Sequence, residues 1–461
     1  MTHNDDDQVL IESGYKPQLR RSLGFFSSFA VSFSCMSILM GIFTNYGYVL
    51  SKAGPFGIWT WPLVGIGQML VALVFAEMAG RVPLTGAIYN WNSKLTTPVI
   101  GWLTGWMTVF VYSISTVGII IAMMTPLQSF LGREFDAGTV RLTGAAIILI
   151  QAAINVYGIK LAAGTNKIAV IAEVIALVVF GAIILMVILL NGEAHIALVT
   201  TIPDNPRPYW PGFTMAILLA AWTIFGFESP SDFSEETVNV RRIVPQSILS
   251  SILFTIILGF AFIMIITLAI PDLAAVSAAA DPVSAIIAHH LGSTVTKIFL
   301  LFVILAMFAT ALLSMATAAR ILFAMARDKR FLASPLLARV SDRGVPIVTI
   351  MLILTIEILT LVTAKDFIDL YAIPVVLLAL VYLATVVNFA IGLKNLPAAG
   401  SFSLGHWHWP VVVSGIIWLV AEIGILTIPQ EFHSVALETG GVIVVGCLLY
   451  PIIGRASLKS K

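Results

Sequence analysis

The sequence predicts an all-α polytopic membrane protein of twelve transmembrane helices. Three observations predict it. Hydrophobic residues fill 59% of the 461 positions and charged residues only 11%, against about half and about a quarter in a soluble domain. The mean hydropathy of +0.99 is too high for a protein with a wetted surface. The apolar residues also gather into about twelve runs of spanning length, and Lys and Arg are sorted between the loops that join them.

The elements follow in order. The first twenty residues, MTHNDDDQVLIESGYKPQLR, are polar and acidic. They hold no apolar core of signal-peptide length, so they read as a short tail ahead of a retained first span. A span needs about 20 mostly apolar residues. Runs of that kind lie at 23–50, 57–79, 99–130, 141–159, 166–190, 212–238, 246–270, 294–326, 345–363, 367–393, 409–428 and 433–454. The third and eighth outreach a hydrocarbon core of about 30 Å, so they are expected to tilt or project. Only the short polar stretch TAKDF separates the ninth from the tenth.

Charge tests the count. With the N-terminus inside and twelve alternating spans, Lys52, Arg133, Arg141, Arg207, Lys297 and Lys365 fall outside, and the other nineteen of the 25 Lys and Arg fall inside. That is the bias of cytoplasmic loops. Eleven spans would move the basic C-terminal tail outside. The expected protein is therefore a multi-pass protein of the cell membrane with both termini cytoplasmic, in contact with membrane lipid. A net charge of +1 without a dense basic tract gives no reason to expect a nucleic-acid partner. Cys35 and Cys447 sit in apolar runs and read as small buried hydrophobes.

Two spans look interrupted. In AAWTIFGFESPSDFSEET (220–237), Gly226, Glu228 and Pro230 break an apolar run behind Trp222 and Phe225. In SCMSILMGIFTNYG (34–47), Gly41 lies midway, after Ser34 and Ser37. Broken backbone at membrane depth is tolerated only where it lines a cavity or is buried in protein. The first and sixth runs correspond if the first ten helices form two five-helix halves, and matched interruptions point to a transporter binding site. A break exposes N–H groups with partial positive charge, which attract a carboxylate. Freed carbonyls attract an ammonium, and Trp222, Phe225 and Tyr112 can add cation–π contact. A small zwitterion could bridge the two. The plainer alternative for Gly41 is close helix packing.

The segments WTIFGFESPSDFSEET with RRIVPQSI, AEMAGRVPLTGAIYNW, and ATAARILFAMARDK with RGVP resemble motifs of the amino acid–polyamine–organocation superfamily. The best match within it is the amino acid/choline transporter group that includes GABA permease-like members. The likeness covers roughly residues 20–395. It implies a five-plus-five inverted repeat (about 22–192 and 208–395 within a core of 22–395), with broken helices 1 and 6. Two additional helices at 396–455 and tails at 1–21 and 456–461 complete the chain. It also implies alternating access and transport of an amino acid, or of choline, a polyamine or another organic cation. Carried over by position, Leu39, Met40, Gly41 and Ile42 would offer backbone to a substrate carboxylate. Trp222 would gate the site, with Glu228 beneath it and Tyr112, Phe225 and Gly226 lining it. The usual Gly-small-Gly of the first helix is Leu39-Met40-Gly41 here, so a carboxylate would be held differently or shifted.

Glu173 stands in IAVIAEVIALVVF, where a charge costs roughly 2.5–3.5 kcal/mol on insertion scales. Superfamily members often place a lysine there. Glu173 with Ser314 and Thr317 is expected to couple transport to H+ or Na+. The alternative is an acid near the cytoplasmic end of the helix, paired with Lys167 or solvated. Glu77, Arg81, Glu235, Glu236, Arg241, Arg242 and Arg320 read as an inner gate network or as topology signals. Glu357 and Glu422 read as structural. HWHW at 406–409 reads as an interfacial aromatic belt, not a metal site. No other cofactor is expected, and oligomeric state is left open. A repeated channel filter and an enzyme's HExxH-type cluster are both missing from the sequence. A non-transporting nutrient sensor of the same fold stays open.

Overall fold

The computed structural model describes residues 10–11, 14–16, 18–19, 21–202, 208–364 and 369–454, with the side chains of 159, 160 and 395 excepted. Arg20, Arg207, Lys365, Arg455, Lys459 and Lys461 of the charge count, and most of both tails, lie outside the described residues.

Among the described residues the regular structure is helical: ten helices are long and apolar enough to cross a membrane, and the shorter Ile347–Thr363 and the interrupted sixth run bring the set to the twelve expected. The first is interrupted, α1a Phe25–Cys35 and α1b Ile38–Ala53. Then come α2 Thr60–Arg81, α3 Pro98–Leu131, α4 Ala137–Tyr157 and α5 Leu161–Asn191. The sixth is α6a, Ile217–Thr223 preceded by Tyr209–Met215, and α6b, Ser229–Asp232. After it run α7 Val240–Leu268, α8 Pro282–Arg327, α9 Ile347–Thr363, α10 Asp369–Gly392, α11 His408–Ile425 and α12 His433–Leu449. Helices dominate because a bilayer offers backbone groups no other partner than their own turn.

The ninth and tenth runs are separate helices, α9 and α10. The third reaches 34 residues, as its apolar length predicts. The eighth is interrupted at Gly292 (φ 76°), which separates the expected run from a short helical arm reaching back to Pro282. The spans pack as α1 on α6, α2 on α7, α3 on α8 and α4 on α9, with α5 against α8 and α10 against α3. That is the pairing two five-helix halves make about a two-fold axis. α11 lies on α2 and α10, and α12 on α10 and α3. α3 is buried among these neighbours, while α4 and α12 turn apolar side chains such as Leu142 and Leu437 outward. Such faces suit lipid.

Candidate functional site

The sixth span breaks where its residues demand it. α6a closes on Ile224 N–H to Ala220 O, 2.7 Å. Gly226 then takes φ 77°, a conformation that glycine adopts freely. Ser229 closes the turn, its N–H and hydroxyl both donating to Gly226 O at 3.1 and 2.6 Å. Pro230 follows in the first turn of α6b, where its missing N–H costs nothing. The Phe227 carbonyl accepts from the Ser32 hydroxyl of α1a at 2.9 Å, and Ser251 of α7 donates to Ser32 at 2.6 Å.

Glu228 lies in the break with no exposed surface. Tyr112 donates to its Oε1 at 2.7 Å, and Tyr382 donates to its Oε2. The Tyr382 oxygen also accepts the Gly226 N–H at 3.1 Å. One acid, two phenols and one backbone amide therefore tie α3, α6 and α10 together. Tyr382 went unnoticed in the sequence because a single tyrosine in VVLLALVYLATVVN looks like one more apolar ring.

The first span breaks at Met36–Ser37, not at Gly41, which sits inside α1b. Ser37 leaves the helical region (φ −41°, ψ 115°) and caps the second half, its hydroxyl accepting from Met40 N–H at 3.3 Å. Gly41 serves the close approach instead. A Cβ there would lie 1.8 Å from Thr223 Oγ1, so bare backbone is what brings α1b against α6a. Close packing, the alternative to a break at Gly41, is thus what its surroundings require.

The N–H groups expected to face a substrate carboxylate have partners inside the protein. Leu39 N–H donates to Glu173 Oε1 at 3.0 Å, and the Ser37 hydroxyl donates to the same oxygen at 2.7 Å. Gly41 N–H reaches Ser37 O at 3.1 Å, and Ile42 continues the helix. Glu173, on α5 just before a π-helical turn at Ala176–Phe180, is buried. Its hydrogen bonds go to α1b, and among the described residues none joins it to Ser314 or Thr317. Ser314 donates to Thr310 O at 3.0 Å, while Thr317 Oγ1 is buried with no hydrogen-bond partner among the described residues.

Above the breaks, the Trp222 ring lies 5.2 Å from Phe225 and 5.5 Å from Tyr371 of α10. Its indole N–H reaches the Met40 sulfur at 2.9 Å. Trp222, Met40, Leu39 and Ile42 have no exposed surface. The two interrupted spans therefore meet face to face, closed around the site.

Comparison with known proteins decides the family. The family model described as amino acid permease matches residues 23–450. The chain belongs to the amino acid permease family. The permease is 26% identical over 465 residues to amino-acid permease BAT1 of Arabidopsis thaliana, covering 94% of this chain and 90% of that protein. It is 28% identical over 341 residues to the methylthioribose transporter of Bacillus subtilis (strain 168), 70% of each chain. It is 26% identical over 308 residues to the branched-chain amino acid permease BcaP of Lactococcus lactis subsp. cremoris (strain MG1363), covering 63% of this chain and 65% of that one.

On the face that carries its N-terminal segment, ion pairs tie the helix ends of the permease together. Arg320 of α8 meets Glu236 at 2.5 Å, Arg327 meets Glu235 at 2.9 Å, and Arg81 meets Glu77 at 2.6 Å. Arg241 donates instead to the carbonyls of Gly80 (3.0 Å) and Ala398 (2.7 Å), while Arg242 is exposed. Arg327, not singled out in the sequence, also lies 4.2 Å above the Tyr15 ring, and Arg21 donates to Thr237 O at 2.8 Å. Tyr89 donates to Asp328 at 2.7 Å. Burial raises the Asp328 carboxyl, opposed by that phenol and by Arg327. Glu422 is buried and accepts from Gln68 at 3.0 and 3.1 Å, which pins α11 to α2. Among the described residues no three His, Cys, Asp or Glu side chains group as a metal site.

Proposed function

We propose that this permease is a secondary active transporter that carries an amino acid or a related small amine across the cell membrane by alternating access. The observation that carries the reading is the meeting of two interrupted spans at Gly41–Thr223 and Met40–Trp222, beside the buried carboxyls of Glu173 and Glu228. The names of its relatives, permeases for amino acids and a transporter for methylthioribose, support a small polar solute. The arginine-rich face carrying Arg81, Arg241, Arg320 and Arg327 is the cytoplasmic one, in keeping with the charge bias of such loops. Both termini are then cytoplasmic, and that network is the inner gate.

Glu173 is the coupling site. It holds α1b by its N-terminus, so any change in its charge loosens or tightens the half-helix that must move for the site to open. A proton is the simplest coupling ion, since the bonds of Glu173 go to α1b and not to the α8 hydroxyls that would complete a Na+ shell. Uptake of a solute panel into proteoliposomes, with imposed proton or sodium gradients, tests this. Accumulation under a gradient is expected for at least one amino acid or amine, and no accumulation or exchange of any panel member refutes the reading. Glu173→Gln is expected to keep binding and abolish accumulation; unchanged accumulation removes Glu173 from the coupling role.

A further inference from the structure

The first break carries its own anion. The donors with which a helix N-terminus ordinarily holds a carboxylate are the first N–H groups and a capping hydroxyl. Here Leu39 N–H and the Ser37 hydroxyl both donate to Glu173 Oε1, and Ser37 takes the Met40 and Gly41 amides. The bare face of Gly41 is filled by Thr223. At the second break the Gly226 N–H is taken by Tyr382. The amides that open α1b thus have protein partners, and so does the Gly226 amide at the second break.

The charge balance of the interior points the same way. Among the described residues eight acidic side chains are buried, against one basic side chain, Arg320. Glu77, Glu235 and Glu236 pair with Arg81, Arg327 and Arg320. Among the described residues no salt bridge joins Glu173, Glu228, Asp232, Glu357 or Glu422 to a basic side chain, though Arg320 lies within electrostatic reach of Asp232. A ligand carboxylate entering here would have to displace Glu173 or stay uncompensated, and a buried unpaired charge is costly. A ligand ammonium would meet the opposite: aromatic faces at Trp222, Phe225 and Tyr371, and the carboxyls of Glu173 and Glu228 at the two breaks.

We infer that Glu173 is a resident stand-in for a substrate carboxylate, so that the site takes a small organic cation without one, a primary amine or a quaternary ammonium. This rests on the transport reading above and narrows its substrate class. The test uses matched pairs that differ only by a carboxylate, leucine with isoamylamine and ornithine with putrescine, together with choline. Binding to the purified full-length protein is the readout, because neutral amines cross lipid unaided. Each amine is expected to bind at least about ten-fold more tightly than its paired amino acid. Glu173→Ala frees the Leu39 amide and the Ser37 hydroxyl and is expected to shrink that ratio by about ten-fold. Glu173→Gln, whose amide oxygen can still cap α1b, is expected to keep the amino acids excluded; it keeps the test open if the Ala variant does not fold. An amino acid that binds the unaltered protein as tightly as its amine overturns the inference while leaving amino acid transport standing. A ratio unchanged in Glu173→Ala overturns the stand-in role. Binding by none of the probes overturns this inference, while the transport reading stands or falls by the uptake panel.

Discussion

Gly41→Ala is the sharpest probe of how the two interrupted spans work together. The added methyl would sit 1.8 Å from Thr223 Oγ1, 2.7 Å from its Cβ and 2.8 Å from its Cγ2. Ordinary contact between such atoms begins at about 3.5 Å, so α1b and α6a must separate by more than about 1 Å. Overpacking of this kind costs about 1–3 kcal/mol, which shifts a two-state population by roughly 5–150-fold. The closed arrangement seen here is the state that loses. Thr223→Ala should relieve the clash only in part, since its Cβ still lies too close. Thr223→Gly should relieve it fully at small cost, because Thr223 is the last residue of α6a. The assay is substrate binding and initial uptake in proteoliposomes, with thermal stability in detergent as a second reading. The expected order is Gly41→Ala most impaired, Gly41→Ala with Thr223→Ala intermediate, and Gly41→Ala with Thr223→Gly near the unaltered protein. Unaltered binding and stability in Gly41→Ala would refute the close approach as a working contact.

Further expectations rest on the same geometry. Tyr112→Phe and Tyr382→Phe each leave one Glu228 oxygen buried without its donor, about 1–3 kcal/mol; Tyr382→Phe should be the more damaging in thermal stability and uptake, since it also strands the Gly226 amide. Arg327→Ala leaves Glu235 buried without its cation, a loss of about 3–5 kcal/mol, and should open the inner gate. The native Cys35, buried beside Gly226, reports this in a Cys447→Ser background as faster labelling by a polar thiol reagent from the N-terminal face. Gln68→Leu should lower thermal stability by about 1–3 kcal/mol by stranding Glu422, and adding Glu422→Leu should restore most of it.

The spans were legible because a bilayer makes each one declare itself: every run must be apolar and long enough by itself. The break in the sixth span was legible for a similar local reason, as Gly226, Glu228 and Pro230 each oppose an unbroken lipid-facing helix. The break in the first span was read about four residues too late. A glycine that permits close approach and one that permits a turn look alike until the neighbour is known, and Thr223 is the neighbour. The pairs Glu77–Arg81 and Glu236–Arg320 grew from residues already singled out. The roles of Arg327, Tyr15 and Tyr382 did not, because their partners lie on other spans.

What the chain's own chemistry determined was the membrane, the number of spans, the sixth-span interruption and the positions of the intramembrane acids. Each follows from the cost of moving a residue from water to lipid, which depends on that residue and its immediate neighbours. What only the tertiary structure decided was how those acids are used. Glu173 finds Leu39 at a separation of 134 residues and Glu228 finds Tyr382 at 154. Hydrogen bonds need partners within about 3 Å and aimed at one another, and no local pattern of residues carries that information.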